Sequence, residues 1–254
     1  MKRITLIAAV AAFIVALSSC QKETASNNPL PAQSLKIKTY TEDVRSGVFG
    51  NSVTTYNLSY DGKDRLVSLV DAANPGNKFV YAYPSSSKYT LDIFIGNIFE
   101  LHNDFLLNSQ SLIDSSFQYN NTSDTSTEKY IYNAAHQVTK LYEYDYYGSG
   151  PELWNITTYT YDGAGNLVKS EDTDDFVYTY EYYTDKLYVM PKLIPVTVPN
   201  EKANLLKKVT LTETGNVLGS ATSTYTFDGK DRISTERIDY SDGDVVIKTF
   251  TYFD

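Results

Sequence analysis

Residues that build covalent and metal chemistry are scarce: 254 residues include one cysteine, two histidines and one tryptophan. A single cysteine excludes an internal disulfide, so the core must hold by burial. His102 and His136 lie far apart in the sequence, and no further ligands stand at the spacing of a His-based triad or a zinc site. There is no Gly-rich phosphate loop and no nucleophile elbow. Basic residues are also in deficit: 22 Lys and Arg, two of them at the extreme N-terminus, face 31 Asp and Glu. An acidic surface repels phosphate backbones, which argues against nucleic acid as a partner.

Long apolar runs are missing too. The uncharged run from Ile4 to Leu17 falls short of the roughly 18 to 20 residues a bilayer-crossing helix needs. Preceded by Lys2 and Arg3 and followed by Ser18 and Ser19, it reads as a secretory signal over residues 1–19. The stretch Leu17-Ser18-Ser19-Cys20 resembles the bacterial lipobox, which implies that the Cys20 thiol carries diacylglycerol and that Cys20 opens the mature chain. Each buried methylene contributes ~0.8 kcal/mol, so two or more acyl chains hold a protein stably on a membrane. Residues 20–34, polar and with two prolines, read as the lipidated Cys and a flexible tether. Asp does not follow Cys20; Gln21-Lys22-Glu23 instead resembles the signal that sends Bacteroidota lipoproteins to the outer face of the outer membrane. The resemblance implies an outer-membrane lipoprotein and favours the cell surface over the periplasmic face.

From Leu35 to Asp254 the pattern is that of one domain with period two. Tyr159 and Tyr161 alternate with Thr158 and Thr160, Tyr225 and Phe227 with Thr224 and Thr226, and Phe250 and Tyr252 with Thr249 and Thr251. One face is aromatic and the other hydroxyl, as a half-buried antiparallel sheet requires. With 23 Tyr against 11 Phe, the aromatic layer keeps many hydroxyls that must find water or a partner.

A spacing recurs along this domain. Tyr161-Asp162-Gly163 with Leu167 returns as Tyr60-Asp61-Gly62 with Leu66, as Phe227-Asp228-Gly229 with Ile233, and as Tyr132-Asn133-Ala134 with Val138. Weaker copies run from Leu107-Asn108 to Ile113, from Leu211 to Val217 and from Tyr240 to Val246. The expected unit is a hairpin corner in which Asp or Asn makes an Asx turn and Gly takes positive φ. The apolar residue six positions on then returns to the face the aromatic left.

These stretches resemble the YD repeats of bacterial cell-surface and toxin-encasing proteins, and more closely small Bacteroidota lipoproteins of YD-like hairpins. The resemblance covers most of residues 52 to 253 and implies hairpin architecture. The fold expected is all-β: an antiparallel meander of fifteen or more strands forming a large twisted, curled sheet or open barrel. Ile98–Leu107 is assigned to a strand, and the proline-bearing stretch Met190–Pro199 to an edge-covering crossover.

Candidate sites are few. Glu171, Asp172, Asp174 and Asp175 offer oxygen ligands for Ca²⁺, but without EF-hand spacing they read as a solvated hairpin loop. His136 occupies the place of Gly165 in another copy and reads as a turn residue. Trp154 is expected to pack in the aromatic layer of its strand. The ligand site the sequence offers is Trp154 with Tyr146 and Tyr147 around a Gly-rich loop, suited to stacking on sugar rings. No carboxylate pair stands out for glycoside hydrolysis. The function expected is a monomeric, lipid-anchored envelope binding or scaffold module without catalysis, cofactor or metal, partnered with a glycan or an envelope protein. A glycan-binding accessory of nutrient uptake and a glycoside hydrolase are the alternatives.

Overall fold

The structure, a computed structural model, describes residues 36–121, 125–146, 150–187 and 204–253. The signal, Cys20, the tether, Tyr147 and the proline-bearing stretch lie outside the described residues. Sixteen strands follow one another: β1 (Ile37–Ser46), β2 (Gly50–Tyr60), β3 (Leu66–Asp71), β4 (Lys78–Ser85), β5 (Lys88–Ile95), β6 (Ile98–Leu107), β7 (Ile113–Asn120) and β8 (Thr125–Tyr132). Then come β9 (Val138–Tyr146), β10 (Pro151–Tyr161), β11 (Leu167–Glu171), β12 (Phe176–Leu187), β13 (Asn204–Glu213), β14 (Asn216–Phe227), β15 (Ile233–Tyr240) and β16 (Val245–Tyr252). Every strand pairs antiparallel with its sequence neighbours, and β1 pairs with β16, so the sheet closes into a barrel. Closure leaves no free sheet edge.

Alternation along the strands sorts the two faces as the aromatic–hydroxyl pattern requires. Tyr40 pairs with Tyr56 and Phe250 on the inside, where their rings stack at 6.1 and 5.6 Å. On the outside, Thr39 meets Thr251, Thr41 meets Thr55, and Thr226 meets Thr235 through hydroxyl hydrogen bonds. Arg45 and Asp43, and Arg237 and Asp239, form exposed ion pairs on that face. Such surface pairs contribute at most ~1 kcal/mol each; their consequence is a polar outer face on these strands.

The corners are built as one device. In each of the loops 61–65, 108–112, 133–137, 162–166 and 228–232, the first residue, Asp or Asn, accepts backbone N–H bonds from the third and fifth. Asp61 is held down to about 2 by the Arg65 backbone N–H and then its guanidinium. The expected role of the Asp-Gly glycine is corrected, because positive φ falls three residues after the Asp or Asn. It occurs at Asp64, Ser111, His136, Gly165 and Asp231, whereas Gly62, Gly163 and Gly229 are not left-handed. His136, at φ 64°, is the turn residue its position suggested.

Strand ends at this level are tied to one another. Six tyrosine hydroxyls donate to the backbone carbonyl of the apolar residue that opens the preceding strand: Tyr60 to Ile37, Tyr83 to Leu66, Tyr132 to Ile113, Tyr161 to Val138, Tyr182 to Leu167 and Tyr252 to Ile233, at 2.6–3.0 Å. The Tyr surplus is thereby explained, since Phe in these places would leave a carbonyl without its donor. Ile37, Leu66, Ile113, Val138, Leu205 and Ile233 are each at most 3 % exposed, and all but Val138 belong to one packed core cluster. Antiparallel connections alternate between the two ends, so these corners and both ends of the described barrel share one end. Toward the other end some inward positions, such as Val44 and Thr54, are half-buried, and those that are buried are polar, Ser46, Asp71 and Ser170 among them. The apolar residues make the first end a packed floor.

The weak copies at 211–217 and 240–246 are hairpins at the opposite end: a tight Thr214-Gly215 turn, and a turn over 240–244 that has the backbone bonds of the corners and positive φ at Gly243, with Tyr in place of the Asp or Asn. The stretch 190–199 joins β12 to β13, which are hydrogen-bonded neighbours.

Candidate functional site

The outer wall is not uniform. Across β5 to β9 the outward positions change from hydroxyl to aromatic, and the rings touch in series. Phe94 meets Phe99 at 6.1 Å, Phe99 meets Tyr119 at 5.9 Å, Tyr119 meets Phe117 at 6.3 Å, and Phe117 meets Tyr146 at 6.1 Å. Beside this ladder, Asp114, Ser115, Thr127, Lys129, Tyr144, Tyr146 and Pro151 line an open groove of about 290 Å³. Its Lys and Asp stand near two tyrosine rings, so a ligand can stack and be held by charge or hydrogen bonds at once.

Of the expected ligand residues, the structure brings Tyr146 into this groove, where its hydroxyl lies 3.2 Å from Thr127 Oγ1. Trp154 is not among the groove residues. It sits at a register shift of β10, between Leu153 and Asn155, and is 50 % exposed. The expectation that it packs in the aromatic layer is corrected: the bulge takes it out of the alternation that would have turned it inward. Tyr147 lies outside the described residues.

His102 acquires partners the sequence did not reveal. Its Nδ1 lies 2.6 Å from Asp92 and its Nε2 3.0 Å from Asp104, while its ring stacks on Tyr119 at 4.8 Å. Asp92 faces His102 across β5 and β6, and Asp104 is two residues on, which strand periodicity brings to the same face. With both ring nitrogens engaged and Asp104 also bound by Lys88, the cluster closes upon itself. Among the described residues no group of three or more His, Cys, Asp or Glu is arranged to hold a metal. In the acidic run, Asp172 caps its own turn by accepting from Asp174 and Phe176, and Glu171 pairs with Lys169.

Inside the barrel, two polar clusters interrupt the aromatic layer. Glu42, Lys248 and Glu236 stand side by side across β1, β16 and β15. Tyr40 donates to Glu42 at 2.5 Å and Tyr225 to Glu236 at 3.0 Å, and Lys248 lies 3.4 Å from Glu236. On the β8–β9 wall, Glu128 and Glu143 are directly opposite one another, and among the described residues neither has a basic partner. Glu128 accepts from Tyr130 at 2.5 Å and from Ser116 at 2.9 Å; Glu143 accepts from Asn155 at 2.7 Å. Burial and then the charge of Glu128 push the Glu143 carboxyl up to about 7, against the Asn155 hydrogen bond. This is a carboxylate pair of the kind the sequence did not single out. The register of the β8–β9 hairpin brings the two together, and period-two alternation alone could not supply it.

A closed sixteen-strand antiparallel barrel with a tyrosine-rich interior and a mixed exterior, rich in hydroxyls on β1, β2 and β16 and aromatic on β5 to β9, is therefore the class of structure. Its shape is similar to two porin-like proteins of known structure. One, from Bacteroides uniformis, aligns with a TM-score of 0.60 at 13 % identity over 86 % of this chain and 97 % of that one. The other, from Bacteroides vulgatus, aligns with a TM-score of 0.61 at 10 % identity over 86 % of this chain and 99 % of that one. At these identities the likeness is one of fold. No protein-family model matches the chain, and no curated protein matches it in sequence.

Proposed function

We propose that the chain is a lipoprotein of the outer membrane, held by acyl chains on Cys20, in which the barrel is a water-exposed binding module whose ligand face is the aromatic wall of β5 to β9. The observation that carries this reading is the contiguous outward ladder from Phe94 to Tyr146 with the groove beside it. Exposed aromatics in contact, at the surface of a wall otherwise rich in hydroxyls, mark an interaction site more than a packing need. Stacking faces edged by Lys129 and Asp114 suit a glycan, and display on the cell surface suits glycan capture.

The polarity of the remaining wall supports tethering over insertion. A barrel that spans a bilayer presents an outward apolar band about 25 Å tall. Here Thr39, Thr41, Asp43, Arg45 and their neighbours occupy that side. Comparison with porin-like structures therefore extends to the chain path and not to a channel.

A hydrolase is the second reading, favoured by Glu128 and Glu143, whose unequal environments resemble an acid and its partner. Their surroundings weigh against it: Ser116 and Asn155 beside them are 3 % and 7 % exposed, which is packed wall. Thermal-shift screening of residues 21–254 against glycan fragments tests the main reading, since a ligand at about 100 times its Kd adds ~2.7 kcal/mol. A shift abolished by Tyr144→Ala is expected. A shift that survives Tyr144→Ala and Tyr146→Ala together places the ligand elsewhere.

A further inference from the structure

Around the end of the barrel opposite the packed floor, apolar side chains project at or just beside every second hairpin tip. The β1–β2 tip carries Val48 and Phe49, 79 % and 74 % exposed; the β5–β6 tip carries Ile98, at 63 %. Leu153 follows the β9–β10 tip at 48 %, and Val217 and Leu218 follow the β13–β14 turn at 68 % and 53 %. These positions recur every four strands of sixteen, so they stand at quarter turns of the ring. The intervening tips are polar where described: Asn74 and Asn77 after β3, Asp172, Asp174 and Asp175 after β11, and Asp242 and Asp244 after β15. The packed floor is at the other end, so these apolar tips contribute nothing to it.

The distribution selects the occupant. A protein interface has an apolar centre inside a polar rim. Here the apolar residues are separate fingers around a mouth, with acidic turns between them. A fluid lipid surface receives all four fingers together, each entering the headgroup boundary while the polar turns stay wet. Charge narrows the lipid: acidic turns on a chain of net charge −9 are repelled by anionic headgroups and tolerate zwitterionic ones. Reach is sufficient. The barrel is entered at Lys36, at the closed end, and the residues back to Cys20 extend to roughly 55 Å at about 3.5 Å each. The wall, at about 3.3 Å rise per residue and with tilted strands, stands about 30 Å tall.

We propose that this crown of apolar tips is a membrane-docking surface for zwitterionic lipid, a second attachment beside the acyl chains. Only its cellular setting rests on the lipoprotein reading; docking itself belongs to the tips. The barrel closes within residues 36–253, so a chain from residue 21, lacking leader and Cys20, carries the whole fold for the test. Co-sedimentation with phosphatidylcholine–phosphatidylethanolamine vesicles is expected to bind this protein. Phe49→Ser with Leu218→Ser should lower the bound fraction at least tenfold with the melting temperature unchanged, and phosphatidylglycerol vesicles should bind less.

Three results would overturn the proposal: no binding to any vesicle, equal binding by the double variant, or a self-associated species in sedimentation velocity that the double variant abolishes. The last would reassign the crown to a protein contact. Failure of the lipoprotein reading appears elsewhere, as a Cys20 that carries no acyl chain in the mass spectrum of the full chain extracted from cells, whatever the vesicles show.

Discussion

The two ends of the barrel are built from the same kind of strand and yet obey different rules. At the closed end, five loops share one Asx geometry, six tyrosine hydroxyls tie neighbouring strand ends together, and the residues from Ile37 to Ile233 are buried. At the open end the loop 172–176 repeats the Asx geometry, but the other turns differ in length and type, and Val48, Phe49 and Val217 stand in solvent. Packing accounts for the difference, because the corners at the closed end must all fill the same floor and the turns at the other end need not. Burial is thus concentrated toward one end of the barrel axis.

Substitutions that cross this division should separate sharply in size. Ile233→Ala, in the packed floor, is expected to cost about 3 kcal/mol in urea unfolding through lost burial and a cavity. Val217→Ala at the open end should change stability by less than about 0.5 kcal/mol. Equal losses would mean that the floor is not where the barrel is held.

Between the ends, Glu143 gives a pH-dependent effect. Its carboxyl is raised from 4.5 to about 7 in the folded protein, so the native state holds a proton that the unfolded chain has lost over that range. Stability should therefore fall as pH rises from 4.5 through 7, with the full penalty above pH 7. Glu143→Gln, which keeps the acceptor for Asn155, should remove this slope and stabilise the protein by about 1–2 kcal/mol at pH 8, after discounting the shift for partial exposure. Melting curves of both proteins from pH 5 to 8 provide the check; parallel curves would contradict it.

Smaller effects sharpen the closed end itself. Tyr161→Phe should cost about 1–2 kcal/mol by leaving the Val138 carbonyl without its donor. Gly165→Ala should cost about 1 kcal/mol because that residue is left-handed at φ 89°, whereas Gly163→Ala, two residues earlier, should be neutral or slightly stabilising. Denaturant midpoints of the two glycine variants in the wrong order would overturn the corner geometry.

The division also explains what was legible in the sequence. Tyr161-Asp162-Gly163 with Leu167 and its copies announced the closed end, because a repeated backbone requirement leaves a repeated spacing. Ile98–Leu107 was readable as a strand, with matching bounds. The precise turn geometry was not, since Asp64, His136 and Asp231 hide the left-handed place that Gly165 marks. Closure was not legible either, because the β1–β16 pairing joins residues more than two hundred apart. The candidate site was read in part. Tyr146 could be named from its loop, but its ladder draws on β5, β6 and β7, and the facing of Glu128 and Glu143 depends on register set by the corner between them. The packing expected of Trp154 fails because a one-residue bulge overrides alternation.

Native-state hydrogen exchange tests the division most directly. The slowest amides are expected on the strand segments next to the floor, around Leu66, Val138 and Ile233, exchanging only with global unfolding, while residues 51–54, 95–98 and 216–219 exchange through local opening at much lower free energy. Uniform protection from mouth to floor, or slower exchange at the mouth, would contradict a barrel held at one end and free at the other.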